Sequence, residues 1–182
     1  MHAENDLARQ FVRATESHEH LIQRDVVEDL DPWVAAYFAE NPERAKAFDD
    51  LSPEMLELAR SPHGFPVTRE LADVRDEEVG GIPVRIYQGD APATGVLVYF
   101  HGGGFCIGRI GLMDNVAREL AHASGATVVS VGYRLAPEDR FPAAIADAYA
   151  ATLHVSRRAR DLGVDPGRIV VCGDSAGATL AA

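Results

Sequence analysis

Three short runs of apolar residues alternate with amphipathic stretches in the second half of the chain. The runs cover residues 95–100, 126–131 and 168–172, and each is too short to be a typical helix. A strand that is apolar at nearly every position is typical of a sheet buried on both faces. Helical periodicity occupies residues 110–124 and 142–160. Strands that alternate with helices predict an α/β fold with a mostly parallel central sheet flanked by helices.

The first third of the chain has a different pattern. Apolar residues recur at helical spacing over residues 4–60, which also contain several helix starts of the form polar-proline. A linker rich in Pro and Gly follows at residues 61–66. We therefore expect a helical N-terminal segment over residues 1–62 and an α/β core over residues 63–182.

The core is predicted to open with a pair of strands. Residues 67–79 and 84–88 have strand character, and the Gly-Gly-Ile-Pro sequence at 80–83 separates them. We expect these strands to be joined at 80–83 by a hairpin-like turn.

The charge and the cysteine content narrow the choice of partners. The formal net charge of the 182 residues is -11, which argues against nucleic acid because phosphate binding needs clustered Lys and Arg. Residues 1–10 lack the apolar segment of a signal peptide, and no run reaches the about 18 apolar residues of a membrane helix. We expect a cytoplasmic protein without stable membrane insertion.

Cys106 and Cys172 fit neither a disulfide scaffold nor a metal-ligand spacing, so no metal or other cofactor is expected.

The motif Gly-Asp-Ser-Ala-Gly at residues 173–177 follows directly after an apolar run. It matches G-x-S-x-G, in which a serine stands on a sharp strand-to-helix turn with its hydroxyl group exposed. The crowded backbone of such a turn requires glycine at the flanking positions, here Gly173 and Gly177. Alone, the motif also fits a tight turn with a capping serine. The strand predicted before it favours Ser175 as a nucleophile.

The motif His-Gly-Gly-Gly-Phe at residues 101–105 follows another apolar run. Consecutive glycines allow the backbone to turn several N–H groups towards one point, as an oxyanion hole requires. A flexible loop or a phosphate cradle is the alternative. The cradle is disfavoured because the run lacks the lysine of a P-loop and the G-x-G-x-x-G spacing.

Three motifs follow one another along the chain in an order that resembles a known set. They are HGGGF at 101–105, YRLAPEDRFPAA at 133–144 and GDSAG at 173–177. They are similar to those of the hormone-sensitive-lipase-like (bacterial family IV) esterases of the α/β-hydrolase superfamily. The resemblance covers residues 60–182, and the N-terminal segment fits the helical cap of that family in character and position. It implies a carboxylic ester hydrolase that acts on a small-molecule ester through an acyl-enzyme.

The resemblance also implies a role for individual residues. Ser175 would be the nucleophile, and the oxyanion hole would consist of the backbone N–H groups of Gly103, Gly104 and Ala176. Arg134 and Glu138 would make buried polar contacts. The strands before the two glycine motifs would lie side by side. The two motifs would be supported by His101, Gly102, Gly173, Asp174 and Gly177. Of these, His101 precedes the serine and would not be the general base.

The chain departs from the family pattern after Ser175. In α/β-hydrolases the order is Ser, then Asp or Glu, then His, but no histidine follows Ser175 here. We therefore expect either a truncated gene product or one part of a longer protein, which lacks the downstream acid and base and is nearly inactive in isolation. The strand before Ser175 would then be an apolar, aggregation-prone edge.

Two alternatives remain for the function. One is a non-catalytic small-molecule binder on the same fold, because a fold does not fix a function. The other is an amidase or deacetylase, which uses the same nucleophile machinery. The sequence indicates neither the acyl and alcohol preference nor an oligomeric state.

Overall fold

The strands form where the apolar runs predict them, in the second of two units of the chain. The computed structural model describes residues 40, 60 and 66–182. The chain divides into the units Met1–Glu57 and Leu58–Ala182, and all described residues except Glu40 belong to the second. The predicted helical segment over residues 1–62 lies outside the described residues, apart from Glu40 and Arg60, which are helical.

Strands and helices alternate through the described part of the second unit. The strands are β1 (Asp73–Val79), β2 (Ile82–Gln88), β3 (Val96–Phe100), β4 (Thr127–Val131) and β5 (Ile169–Gly173). The helices are α1 (Asp114–Ser124), which follows a 3-10 turn at Ile110–Met113, then α2 (Ala143–Arg158) and α3 (Ala176–Ala181). The predicted α/β alternation is therefore confirmed.

The strands form a mixed sheet in the order β1-β2-β4-β3-β5. The first two strands are antiparallel, β2 is antiparallel to β4, and the strands β4, β3 and β5 run parallel. The parallel part is formed by the three apolar runs, each of which is separated from the next by a helical crossover. This arrangement is the partial α/β core that the sequence predicts.

The β1–β2 hairpin is shorter at its turn and starts later than predicted. Val79 pairs with Ile82, so the turn consists only of Gly80 and Gly81, with φ values of 61° and 88°. A two-residue turn with both residues at positive φ follows the twist of a hairpin, and glycine adopts it without strain.

The segment before β1 is held by helix α1 and not by a strand partner. Asn115 accepts from the Thr68 N–H at 3.0 Å and donates to the Pro66 carbonyl at 3.0 Å. Arg118 donates to the Arg69 carbonyl at 3.0 Å. Because side chains satisfy this backbone, the strand begins at Asp73 and not at residue 67.

Apolar side chains cover both faces of the sheet. Along β3, Val98 and Phe100 face a cluster that includes Ala148 and Ala151 of α2. Tyr99, between them, faces a second cluster with Ala117 and Ala121 of α1. Because successive side chains of a strand point to opposite faces, an uninterrupted apolar run serves two helical layers at once.

Strand β5 is the exception among the three apolar runs. Its one strand neighbour within residues 66–182 is β3, and Val170 is 55% exposed. The expectation of a strand buried on both faces is therefore wrong for β5 in the described part of the chain. The expectation of an apolar edge is confirmed there.

The contrast between β3 and β5 predicts the effect of trimming one valine in each. Val98→Ala should lower the free energy of unfolding by about 2 kcal/mol, since it removes a fully buried side chain and leaves a cavity. Val170→Ala should change it by less than about 0.5 kcal/mol. Urea denaturation of both variants measures the difference. Equal losses would contradict the burial described here.

Candidate active site

The two glycine motifs leave the sheet at the same edge because their strands are neighbours. β3 and β5 are parallel, and Phe100 pairs with Gly173 at their carboxyl ends. The predicted adjacency of these strands is therefore confirmed. Open α/β sheets bind ligands at the carboxyl ends of their strands.

Ser175 occupies a strained turn between β5 and α3. Its φ of 51° and ψ of -119° lie in a region that residues other than glycine rarely adopt. Helix α3 begins at the next residue, and the turn is closed by the Gly177 N–H, which donates to the Asp174 carbonyl at 2.8 Å. Ser175 is exposed, so its hydroxyl group stands clear of the core as predicted for an elbow.

Close backbone packing explains the glycines on either side of this turn. A Cβ atom on Gly173 would lie 2.6 Å from the Phe100 carbonyl oxygen. A Cβ atom on Gly177 would overlap that same oxygen and lie 2.7 Å from the His101 carbonyl oxygen. The first turn of α3 therefore rests directly on the end of β3.

The loop after β3 presents free N–H groups. The Gly103 carbonyl accepts from Cys106 and Ile107 at 3.1 and 2.9 Å. The Gly104 N–H belongs to the same trans peptide and therefore points away from that turn. Within residues 66–182, the N–H groups of Gly103, Gly104 and Ala176 donate to no acceptor.

A positive φ in this loop is not confined to the glycines. Gly103 and Gly104 have φ values of 130° and 59°, which the motif leads one to expect, but Phe105 also has a positive φ of 62°. The sequence includes this phenylalanine in the HGGGF motif but does not predict its positive φ. Its carbonyl accepts from the Ala136 N–H at 2.9 Å, which connects the loop to the segment after β4.

Asp174 ties the serine turn to the neighbouring loop. Its Oδ1 atom accepts from the Tyr99 hydroxyl at 2.6 Å and from the Gly102 N–H at 3.1 Å. Burial, and then this hydrogen bond, raise the pKa of Tyr99, so the phenol stays a donor. The Gly102 N–H is thereby occupied. The sequence singled out Asp174 as part of a motif but did not indicate its partners.

His101 is a buried part of the loop scaffold. Its ring stacks on Tyr133 with centroids 4.3 Å apart, and Nδ1 lies 2.8 Å from the Gly102 carbonyl oxygen, which it donates to. The Tyr133 hydroxyl donates to the His101 carbonyl at 2.6 Å. Burial lowers the pKa of the imidazole. In the described residues, no side chain is hydrogen bonded to the Ser175 hydroxyl.

The expected buried contacts of Arg134 and Glu138 need correction. Arg134 donates through Nη2 to Asp147 Oδ1 at 2.8 Å, but the Arg134 side chain is 51% exposed, and Asp147 is the buried partner. Glu138 is 60% exposed and pairs with Arg60. The long arginine side chains reach over the surface to their carboxylates, so the sequence motif does not determine burial.

The described part of the chain contains neither a cluster of metal-binding side chains nor a membrane-spanning helix. Residues 40, 60 and 66–182 contain no group of three or more His, Cys, Asp and Glu side chains that could hold a metal ion. No helix in this part is long and apolar enough to cross a bilayer.

Comparison with known proteins gives one family and several esterases. A family model described as the alpha/beta hydrolase fold matches residues 97–182. Esterase LipI of Mycobacterium tuberculosis (strain ATCC 25618 / H37Rv) is 46% identical over 135 residues, which are 70% of this chain and 41% of LipI. Carboxylesterase NlhH of the same strain is 39% identical over 160 residues, which are 85% of this chain and 50% of NlhH.

A solved structure agrees with these relatives. An esterase from Pyrobaculum calidifontis, in its monoclinic form, superposes with a TM-score of 0.61 and 47% identity, over 63% of this chain and 39% of the esterase. The chain thus spans half or less of the length of these three relatives.

The contact between Gly177 and Phe100 predicts a severe effect of one added methyl group. Gly177→Ala should destabilise the protein by at least about 3 kcal/mol, because the methyl group would overlap backbone that cannot move without separating β3 from α3. The matched control is Gly111→Ala, whose Cβ would have nothing within 4 Å. The melting temperatures of both variants and of the wild type, measured by thermal unfolding, test this expectation. Similar melting temperatures for Gly177→Ala and the wild type would contradict this packing.

The buried imidazole of His101 predicts a dependence of stability on pH. Because burial lowers its pKa below the 6.5 of the unfolded chain, the unfolded state binds more protons below pH 6.5. Stability should therefore fall as the pH decreases through 6.5, with a slope of at most about 1.4 kcal/mol per pH unit from this one group. His101→Gln should reduce that slope, as measured by urea denaturation between pH 7.5 and 5. An unchanged slope would show that His101 is not the group responsible.

Proposed function

This chain belongs to the hormone-sensitive-lipase-like family of the α/β-hydrolase superfamily, and from that premise we propose that the full-length protein is a serine carboxylesterase. The observation that carries the proposal is the position of Ser175. It stands at positive φ on an exposed turn, beside a loop with unoccupied N–H groups, where β3 and β5 end together.

The proposed reaction starts with attack of the Ser175 hydroxyl on the carbonyl carbon of an ester. The carbonyl oxygen becomes an oxyanion, and the N–H groups of Gly103, Gly104 and Ala176 would donate to it. Loss of a single oxyanion-hole donor lowers kcat by about 10²–10³-fold in enzymes of this kind. A general base takes the Ser175 proton and gives it to the leaving alcohol, and a water molecule activated by the same base then hydrolyses the acyl-serine.

The general base is proposed to lie outside the described residues. Serine needs an adjacent base, and the rings of the described histidines make no hydrogen bond to Ser175. The order Ser, acid, His predicts that both groups follow Ser175 in the full-length protein.

The proposed substrate class and the expected location follow from the chemistry of the site and from the sequence. A small-molecule ester is the proposed substrate, in line with the names of the relatives. The net charge of -11 disfavours a nucleic-acid partner, and the cytoplasmic location stays a prediction of the sequence.

The strain at Ser175 supports the enzyme over a non-catalytic binder. A turn at φ 51° costs of order 1–3 kcal/mol and places a hydroxyl group where a binder has no need of one. An amidase or deacetylase would share this turn, so hydrolysis of matched ester and amide substrates separates those two activities.

The nucleophile assignment predicts where a phosphonate reacts. A fluorophosphonate probe should label the full-length protein stoichiometrically, and Ser175→Ala should abolish labelling and lower esterase kcat by about 10⁶-fold. The matched control is Ser156→Ala, which removes an exposed serine of α2 and should label as the wild type does. Mass spectrometry of the intact protein measures the adduct. Equal labelling of Ser175→Ala and the wild type would refute the assignment.

A further inference from the structure

Arg60 contacts two segments at the carboxyl end of the sheet, the glycine loop after β3 and the segment after β4. Its Nε atom donates to the Cys106 carbonyl at 2.8 Å, and its Nη2 atom donates to the Ala136 carbonyl at 2.6 Å. The same guanidinium pairs with both carboxylate oxygens of Glu138 at 2.9 and 3.1 Å. One side chain from outside every motif thus contacts the glycine loop and the segment after β4.

The contact with Cys106 lies in the second half of the glycine loop, after Gly103 and Gly104. Cys106 donates its N–H to the Gly103 carbonyl, and this bond turns the Gly104 N–H away from the loop. Arg60 holds the carbonyl group of that same Cys106. The peptide that presents the Gly104 N–H is therefore two hydrogen bonds away from the guanidinium.

A second connection runs through the segment after β4. The Ala136 N–H donates to the Phe105 carbonyl at 2.9 Å, while the Ala136 carbonyl accepts from Arg60. Arg60 therefore closes a ring of hydrogen bonds through Cys106, Phe105 and Ala136. Phe105 is the residue held at a positive φ that a side chain disfavours, so the loop needs such external support.

We propose that Arg60 is a positioning residue that fixes the glycine loop in the conformation from which Gly104 donates to the oxyanion. The inference rests on the proposed esterase function and extends it to a residue of the N-terminal side of the chain. Arg60 touches no reacting atom and acts through the backbone of Cys106 and Ala136.

Arginine is the residue type that this task requires. Its planar guanidinium directs several N–H donors along fixed directions, whereas the lysine ammonium group is a compact point charge on a flexible stem and lacks this fixed arrangement. The ion pair itself contributes little, because Glu138 is 60% exposed and solvent screens it. The hydrogen bonds to the two carbonyl groups are the important part.

The experiment compares variants of the full-length protein with p-nitrophenyl acetate as substrate. Arg60→Ala and Arg60→Lys should lower kcat about 10-fold with KM within twofold, since a misplaced donor is lost in part and complete loss costs about 10²–10³-fold. Glu138→Gln keeps both carbonyl contacts and should lower kcat by less than about threefold. Arg69→Ala is the matched control, because Arg69 pairs through its side chain with exposed Glu119 and should change nothing.

A second readout separates positioning from general destabilisation. A trifluoromethyl ketone that adds to Ser175 forms an oxyanion, so its inhibition constant should rise in the Arg60 variants by the same factor as kcat/KM falls. If Arg60→Ala does not fold, Arg60→Lys, which retains the charge and the aliphatic stem, provides the comparison.

The outcomes distinguish the two levels of the account. If the wild type is active and the Arg60 variants keep kcat and ketone affinity within twofold of the wild-type values, the positioning role alone is overturned. A rise in KM without a change in kcat would do the same. A full-length wild type that neither hydrolyses esters nor reacts with a phosphonate would overturn the proposed function, and the inference with it.

Discussion

The packing of Gly177 against the carbonyl group of Phe100 is the contact on which the rest of the site depends. It lets the first turn of α3 rest on the end of β3 with no side chain between them. The turn that carries Ser175 is therefore fixed at both ends, by β5 before it and by α3 after it. Its unfavourable φ of 51° persists because the surrounding packing leaves no relaxed alternative.

Hydrogen bonds then divide the backbone around this contact into occupied and free donors. Asp174 takes the N–H of Gly102 together with the hydroxyl group of Tyr99, and the Gly103 carbonyl is turned inwards by its own loop. The donors left over in the described residues include the N–H groups of Gly104 and Ala176. In the proposed reaction, these donors would be in place before the substrate arrives and would need no reorganisation to stabilise the oxyanion.

Much of this architecture could be predicted from the sequence, because a continuous apolar run has few ways to be buried and GDSAG after such a run has few conformations. The start of β1 could not, since Asn115 satisfies the backbone before it in a way that appears only in three dimensions. The exposure of Arg134 escaped prediction because a motif gives residue types and not depths. Arg60 carried no signal at all, since a single arginine in a helical stretch resembles any surface arginine until its acceptors are known.

The most direct test of the account is a crystal structure of the full-length protein after reaction with a phosphonate. The adduct should be on Ser175, with one phosphonyl oxygen about 2.7–3.1 Å from the backbone nitrogen atoms of Gly103, Gly104 and Ala176. That result would establish the strained serine and the glycine loop as one catalytic unit. An adduct on another residue, or a phosphonyl oxygen directed away from these N–H groups, would contradict the account.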